Sequence, residues 1–230
     1  MRAEKSKKIF KVARGVYSIC SATESINNYI QVEAYINKLM NFYQTPYYIG
    51  LLSAAKRLGC AHYRPGKIQI ITPTQFRVNI NTSLNLQFHT KKHFFETLIS
   101  QYKSDYGYIY FSSPVLTIYD LIKFEKSVGS MENIILIIKE AMLENRIKIS
   151  DIKKLIKFPI EMSIVQKMGY LFHRLNRYEL AEPILELKDR FYYQVNLSLY
   201  ETRYRNKKVQ NNLKVWNVTE NVNWSNIDDT

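Results

Sequence analysis

The stretch TPYYIGLLSAAKRLGCAHYRPGKIQIIT, Thr45 to Thr72, constrains this chain more than any other. Thr45 is a good N-cap residue, and Pro46 suits a first helical position, where no amide donor is needed. Tyr47, Leu51, Ala54, Ala55 and Leu58 then recur at helical spacing, and Gly59 can supply a left-handed C-terminal cap. A turn around Arg64-Pro65-Gly66 follows, and Ile68 to Thr72 reads as a buried strand stopped by Pro73. Helix, tight turn and strand make a compact nucleus that the rest of the chain has to accommodate.

Before this nucleus, KIFKVARGVYSI (Lys8 to Ile19) reads as two short extended segments around Arg14-Gly15, a small basic hairpin. Ile36, Leu39, Met40 and Tyr43 sit at helical spacing within Tyr29 to Tyr43. After it, Phe76 to Ile80 and Leu84 to His89 read as two strands joined through Asn81-Thr82-Ser83, and Tyr108 to Phe111 as another. Lys91 to Lys103 fits a short helix or no regular element. Ser113-Pro114 repeats a cap-plus-proline helix start, and from Ser130 the pattern is helical. Helices are expected from Ser130, from Ser150-Asp151, over Met162 to Leu175 and over Leu180 to Lys188. Asp189 to Tyr200 and Leu213 to Val218 suit strands, and the end from Asn221 reads as a polar tail. The expectation is an α+β chain: residues 1–28 a basic β-hairpin, 29–220 a mixed sheet with a helical bundle, and 221–230 the tail.

Charge narrows the function. The 33 Lys and Arg against 20 Asp and Glu give a net charge of +13, which favours nucleic acid, an anionic membrane face or an acidic protein as partner. Lys7, Lys8, Lys11 and Arg14 crowd the hairpin, and Arg203, Arg205, Lys207 and Lys208 form a second cluster. Lys56 and Arg57 on the helix, with Arg64 and Lys67 beyond it, offer another basic face. A hairpin with a basic tip is the form of a wing beside a duplex, but an edge strand guarded by lysine has the same composition. For Lys56, Arg57, Arg64 and Lys67 the spacing alone favours an ordinary exposed helix face. No segment reaches the roughly 20 apolar residues of a membrane helix, and no signal-peptide core follows the basic start. Cys20 and Cys60 make neither a disulfide framework nor a zinc set, so a soluble protein of a reducing compartment is expected.

Signs of chemistry are sparse. His89 and His93 in HTKKH have the spacing of helical metal ligands, yet Thr90 stands where a zincin needs glutamate, and LNLQFH reads as a strand running into His89. Asp120 sits among apolar residues, where a capping or network role is commoner than catalysis. Cys60 has no base beside it in sequence. No phosphate loop, nucleophile elbow or CxxC occurs, so neither a metal, a cofactor nor an enzyme is expected.

YYIGLLSAAKRLGCAHYRPGKIQIITP resembles the signature of the C-terminal domain of AbiEi antitoxins, from the abortive-infection type IV toxin–antitoxin systems. FSSPVLTIYDLI is similar to a second segment of that family, MGYLFHRLN to a third, and NLKVWNVT to its final Trp-containing strand. KVARGVYSI resembles the arginine-glycine-tyrosine strand that closes the family's N-terminal winged helix. The resemblance runs from about Ile9 to about Val218 with the motifs in order. It implies a bacterial, cytoplasmic regulator that binds the promoter of its own operon and counteracts a nucleotidyltransferase toxin, without direct contact being required. Lys11 and Arg14 would lie on the DNA side of the wing, and Lys56 and Arg57 would point outward from the core helix. The resemblance starts at the wing, without the helices that carry recognition in that family, so salt-sensitive affinity with little base readout is expected. A monomer is expected, since no heptad seam is present. Other classes consistent with the sequence are a non-specific nucleic-acid-binding or protein-interaction domain that has lost repressor activity and, more remotely, a nucleic-acid enzyme.

Overall fold

A computed structural model describes residues 9–19, 30–61, 65–200 and 211–228. It is an α+β fold of two compact units. The first holds the described residues up to Ile49, with Pro65–Phe94 and Ile99–Phe111; the second holds residues 50–61, Phe95–Leu98 and the described residues from Ser112 onward. The chain passes between the two units five times.

The first unit begins with the expected hairpin, β1 (Ile9–Ala13) and β2 (Val16–Ile19), antiparallel across Arg14-Gly15. Gly15 has φ +80°, a left-handed value that glycine adopts without the Cβ penalty. Helix α1 (Ile36–Phe42) buries Ile36, Leu39 and Met40, as their spacing requires. The sheet has the strand order β5-β4-β3-β7-β6, built from β3 (Tyr48–Ile49), β4 (Ile68–Thr72), β5 (Leu86–Thr90), β6 (Ile99–Ser104) and β7 (Gly107–Ser112). β3 lies antiparallel to β4 and parallel to β7.

Two local expectations give way here. Thr45 caps no helix: its hydroxyl donates to the Tyr43 carbonyl at 3.0 Å, and Tyr48-Ile49 go into the sheet instead. Phe76 to Ile80 is not a strand of a hairpin with β5; apart from an isolated bridge at Ile80 it is irregular, and β5 runs parallel to β4 from Ile68↔Leu86 to Thr72↔Thr90. The expected turn residue Asn81 has other partners. It caps a 3-10 turn over Thr82–Leu84 and donates through Nδ2 to the Lys11 carbonyl. Asn85 then reverses the chain in the left-handed region, φ +50°.

In the second unit, α2 (Leu51–Arg57) starts from Gly50 and ends toward Gly59, whose φ of +78° makes the expected left-handed cap. Helix α3 (Pro114–Lys123) is capped by Ser113, whose Oγ accepts from the Leu116 amide, and is buried from Val115 to Ile122. Helix α4 (Glu125–Val128) leads to α5 (Met131–Leu143), capped by Ser130. Then come α6 (Ile149–Leu155), α7 (Met162–Arg174) and α8 (Tyr178–Leu185).

The C-terminal stretch holds little strand. β8 (Val195–Asn196) pairs parallel with β9 (Val218–Thr219), preceded by a 3-10 helix over Asn211–Trp216 and followed by α9 (Ser225–Asp228). Side chains take the backbone groups that longer strands would use: Gln166 Nε2 donates to the carbonyls of Tyr193, Trp216 and Asn217. Asn221 is bonded to both the amide and the carbonyl of Ser198. Past Asn221 the chain still packs, with Val222, Trp224 and Ile227 buried. Among the described residues no helix is long and apolar enough to cross a membrane.

Candidate nucleic-acid interface

The hairpin is held in place from its inner edge. The Asn81 amide donates to the Val12 carbonyl at 2.9 Å, Asn81 Nδ2 to the Lys11 carbonyl at 3.0 Å, and Ala13 bridges Ile80. The Tyr43 hydroxyl donates to the Arg14 carbonyl at 3.0 Å. Phe42 lies against the turn, where a Cβ on Gly15 would meet its Cζ at 3.1 Å. An aromatic file continues inward, Tyr43 onto Phe76 (5.7 Å) and Phe76 stacked on Phe88 (4.7 Å). With its backbone fixed this way, the hairpin sends Val12, Ala13, Val16 and Ser18 inward and leaves Lys11, Arg14, Tyr17 and Ile19 exposed. Lys11 stands directly across from Tyr17.

Charge is divided unequally between the units. In the first, Lys11, Arg14, Lys38, Lys67, Arg77, Lys91, Lys92 and Lys103 stand against only Glu33 and Asp105 among the described residues. All of those cations except Lys91 are exposed. The described part of the second unit is nearly balanced, with sixteen Lys and Arg to fourteen Asp and Glu. Among the described residues, the excess that could hold a polyanion therefore lies in the hairpin's unit.

The basic residues singled out in the sequence do not all fall together. Lys11 and Arg14 share the hairpin and Lys67 belongs to the same unit, exposed just ahead of β4. Lys56 and Arg57 belong to the second unit, exposed in the last turn of α2, where cations complement the helix dipole. Lys7, Lys8, Arg64, Arg203, Arg205, Lys207 and Lys208 lie outside the described residues. Sequence reading passed over Lys38, Arg77 and Lys103, which are scattered singly, Lys92, which lies in HTKKH beside the buried Lys91, and Tyr17 and Ile19, which count as β-formers of either face until a partner fixes the pleat.

The residues weighed for chemistry are placed as follows. His89 lies in β5, so the helical spacing to His93 is not realised. Among the described residues no three His, Cys, Asp or Glu side chains cluster as a metal site would require. Asp120 is fully buried on α3 and is not without partners. Cys60 is buried with Sγ 3.5 Å from the Leu58 carbonyl, and burial pushes its thiol up, away from nucleophilic character.

A group of buried polar side chains lies along α7, and it holds the C-terminal segment. Gly169 leaves the space that Trp216 fills, and the Trp216 indole donates to His173 Nδ1 at 3.0 Å. The Tyr170 hydroxyl donates to Glu220, which also pairs with Arg174 at 3.5 Å. Burial pushes the Tyr170 hydroxyl upward and the His173 ring downward from their ordinary values. Lys167 is buried, its ammonium held below the usual lysine range by desolvation and partly restored by Glu125. Glu125 accepts from Ser198 Oγ at 2.5 Å and from the Leu199 amide at 2.9 Å. Sequence spacing does not reveal these pairs, because their members lie up to 74 residues apart. Compared with family models and with curated proteins, the chain matches none.

Proposed function

We propose that this protein is a non-enzymatic, DNA-binding regulator of the AbiEi antitoxin type, acting in the bacterial cytoplasm as a monomer. It engages the promoter of its own operon and counteracts a nucleotidyltransferase toxin. The observation that carries the DNA-binding part is the partition of charge: a unit with hardly any acids presents Lys11 and Arg14 on a hairpin whose backbone is tied down by Asn81 and Tyr43. Pinned cations lose less freedom on meeting phosphate than cations on a loose loop. The antitoxin part rests on the sequence resemblance. It is supported by the way two of the resembling segments fit each other, Gly169 of MGYLFHRLN receiving Trp216 of NLKVWNVT. A second reading, a protein-interaction domain, is favoured by Tyr192 and Tyr193 of the second unit, 77% and 80% exposed side by side.

A salt titration of binding to two duplexes, the gene's own upstream region and a scrambled version, tests the reading. A preference for the upstream region supports an autoregulator. Equal, steeply salt-dependent binding reduces the claim to phosphate contact. No binding to either refutes the DNA-binding part and leaves the protein-interaction reading.

A further inference from the structure

We propose that the outer face of the β1–β2 hairpin takes an unpaired nucleic-acid strand, with Tyr17 and Phe42 as stacking platforms and Lys11 and Arg14 on the phosphates. The inference deepens the proposed function and rests on its assignment of nucleic-acid contact to this hairpin. Four observations lead to it.

First, the exposed face is not simply cationic. Tyr17 is 45% exposed, Ile19 79% and Phe42 58%, so aromatic and aliphatic surface is interleaved with charge. An edge strand guarded against aggregation calls for lysine and proline, and these side chains work against that purpose. Second, the cross-strand register sets Lys11 opposite Tyr17, and directly opposed side chains on one face lie about 5 Å apart at Cβ. A base lying on Tyr17 thus has a cation beside it for its own phosphate. Third, the second ring is held in place: Phe42 sits against the Gly15 turn and meets Tyr43 edge-on at 5.0 Å, while Tyr43 holds the Arg14 carbonyl. The Phe42 ring and the exposed residue Arg14 thus lie at the same turn. Fourth, the unit carries a large excess of cations over acids, which complements a polyanion.

The mixture of groups distinguishes the strand from the duplex. A duplex offers this face its phosphates, which engage Lys11 and Arg14 and gain nothing from Tyr17, Ile19 or Phe42. An unpaired strand offers phosphates together with free base faces, and each stacked base uses the apolar surface that is otherwise wet. Stacking is tolerant of sequence, so the preference is for strand state and not for a motif.

The test is fluorescence anisotropy on the full chain with three probes of about 15 units, matching the site size of a stacking groove: oligothymidylate, oligouridylate and a random duplex. Each is titrated over a range of salt. The expected result is tighter binding of one or both single strands than of the duplex at equal salt. Tyr17→Ala should weaken single-strand binding roughly 5- to 100-fold, with the salt slope and the duplex affinity unchanged. Tyr17→Phe should restore it, and Phe42→Ala should repeat the loss; unchanged melting temperatures establish that the exposed substitutions leave the fold intact. The ribose and deoxyribose arms identify the source of the strand, and tighter binding of either supports the inference. Duplex bound as tightly as single strand, with Tyr17→Ala indistinguishable from wild type, overturns the inference and leaves the proposed function standing. Failure of all three probes to bind overturns both.

Discussion

Gly169→Ala tests how closely the second unit is packed. An alanine Cβ at this position would lie 2.1 Å from Trp216 Cζ3, 2.4 Å from Cη2 and 2.9 Å from Ile184 Cγ2, where ordinary contacts fall between 3.4 and 4 Å. Trp216 and Ile184 are both fully buried, so neither can swing into solvent without leaving the core. If the indole moves, its bond to His173 and the carbonyl bond from Gln166 Nε2 at 2.6 Å are disturbed with it. Forcing an extra methyl into a close-packed core costs typically about 1–3 kcal/mol, the 2.1 Å approach places this site at the upper end, and Ala in place of Gly inside a helix returns about 1 kcal/mol, so the net expectation is about 2 kcal/mol of destabilisation. At roughly 2–4 °C per kcal/mol for a chain of this size, the melting temperature falls by about 4–8 °C. Circular dichroism melts and the emission of the two tryptophans measure this. Gly66→Ala, whose Cβ meets no atom within 4 Å, is the control and should change little. If Gly169→Ala melts at or above the wild-type temperature, helix propensity outweighs the clash and the packing argument fails.

Lys11→Glu with Arg14→Glu should weaken DNA binding on every sequence and flatten the log–log salt slope by roughly 2, at about 0.9 per phosphate contact; an unchanged slope in a salt titration would remove the hairpin from the interface. Asn81→Ala keeps every charge but deletes the donor to the Lys11 carbonyl and the Ser83 cap, so amide exchange in β1 and β2 should speed up by roughly tenfold or more, read by hydrogen-exchange NMR. His173 carries a pH dependence. Its pKa is lowered in the fold, so the unfolded chain takes up the proton more readily. Its contribution to stability is therefore present above the ordinary histidine value near 6.5 and is lost as pH falls below it. Denaturant melts across that range should show a shallower acid-side loss for His173→Asn, and parallel curves for the two proteins would contradict the assignment.

What could be read from the sequence was local chemistry. Ser113-Pro114, Ser130 and Gly59 each determine a helix end through their own side chain or backbone freedom, and those ends lie where expected. Ile68 to Thr72 was recognisable because Pro73 closes an apolar β-branched run. Thr45-Pro46 carries the same kind of signal and misleads, because Tyr48 and Ile49 bury themselves completely as the centre of a sheet. Sheet pairing overrides the cap. The Asn81 that precedes the parallel strand β5 is engaged by Lys11, 70 residues away, which no window on the sequence can contain. Of the interface, the cations of the hairpin were visible as composition. Its aromatic half was not, since only the register with Lys11 shows that Tyr17 faces outward.

The interleaving of the two units bears on how the protein is made. Neither unit is a continuous run of the gene, so a ribosome cannot finish one before starting the other. The first waits for Ile99–Phe111 to emerge, and α2 waits from an early stage for helices encoded much later. The face of α7 at Gly169 likewise stays vacant until Trp216 is synthesised about 2–10 s later at ordinary elongation rates. For that interval Met168, Leu171 and Phe172 belong to a nascent chain without its closing segment. Translation speed between the codons of Gly169 and Trp216 and the supply of holding chaperones then govern yield, and truncation before Trp216 should leave a product destined for proteolysis and not a smaller working protein.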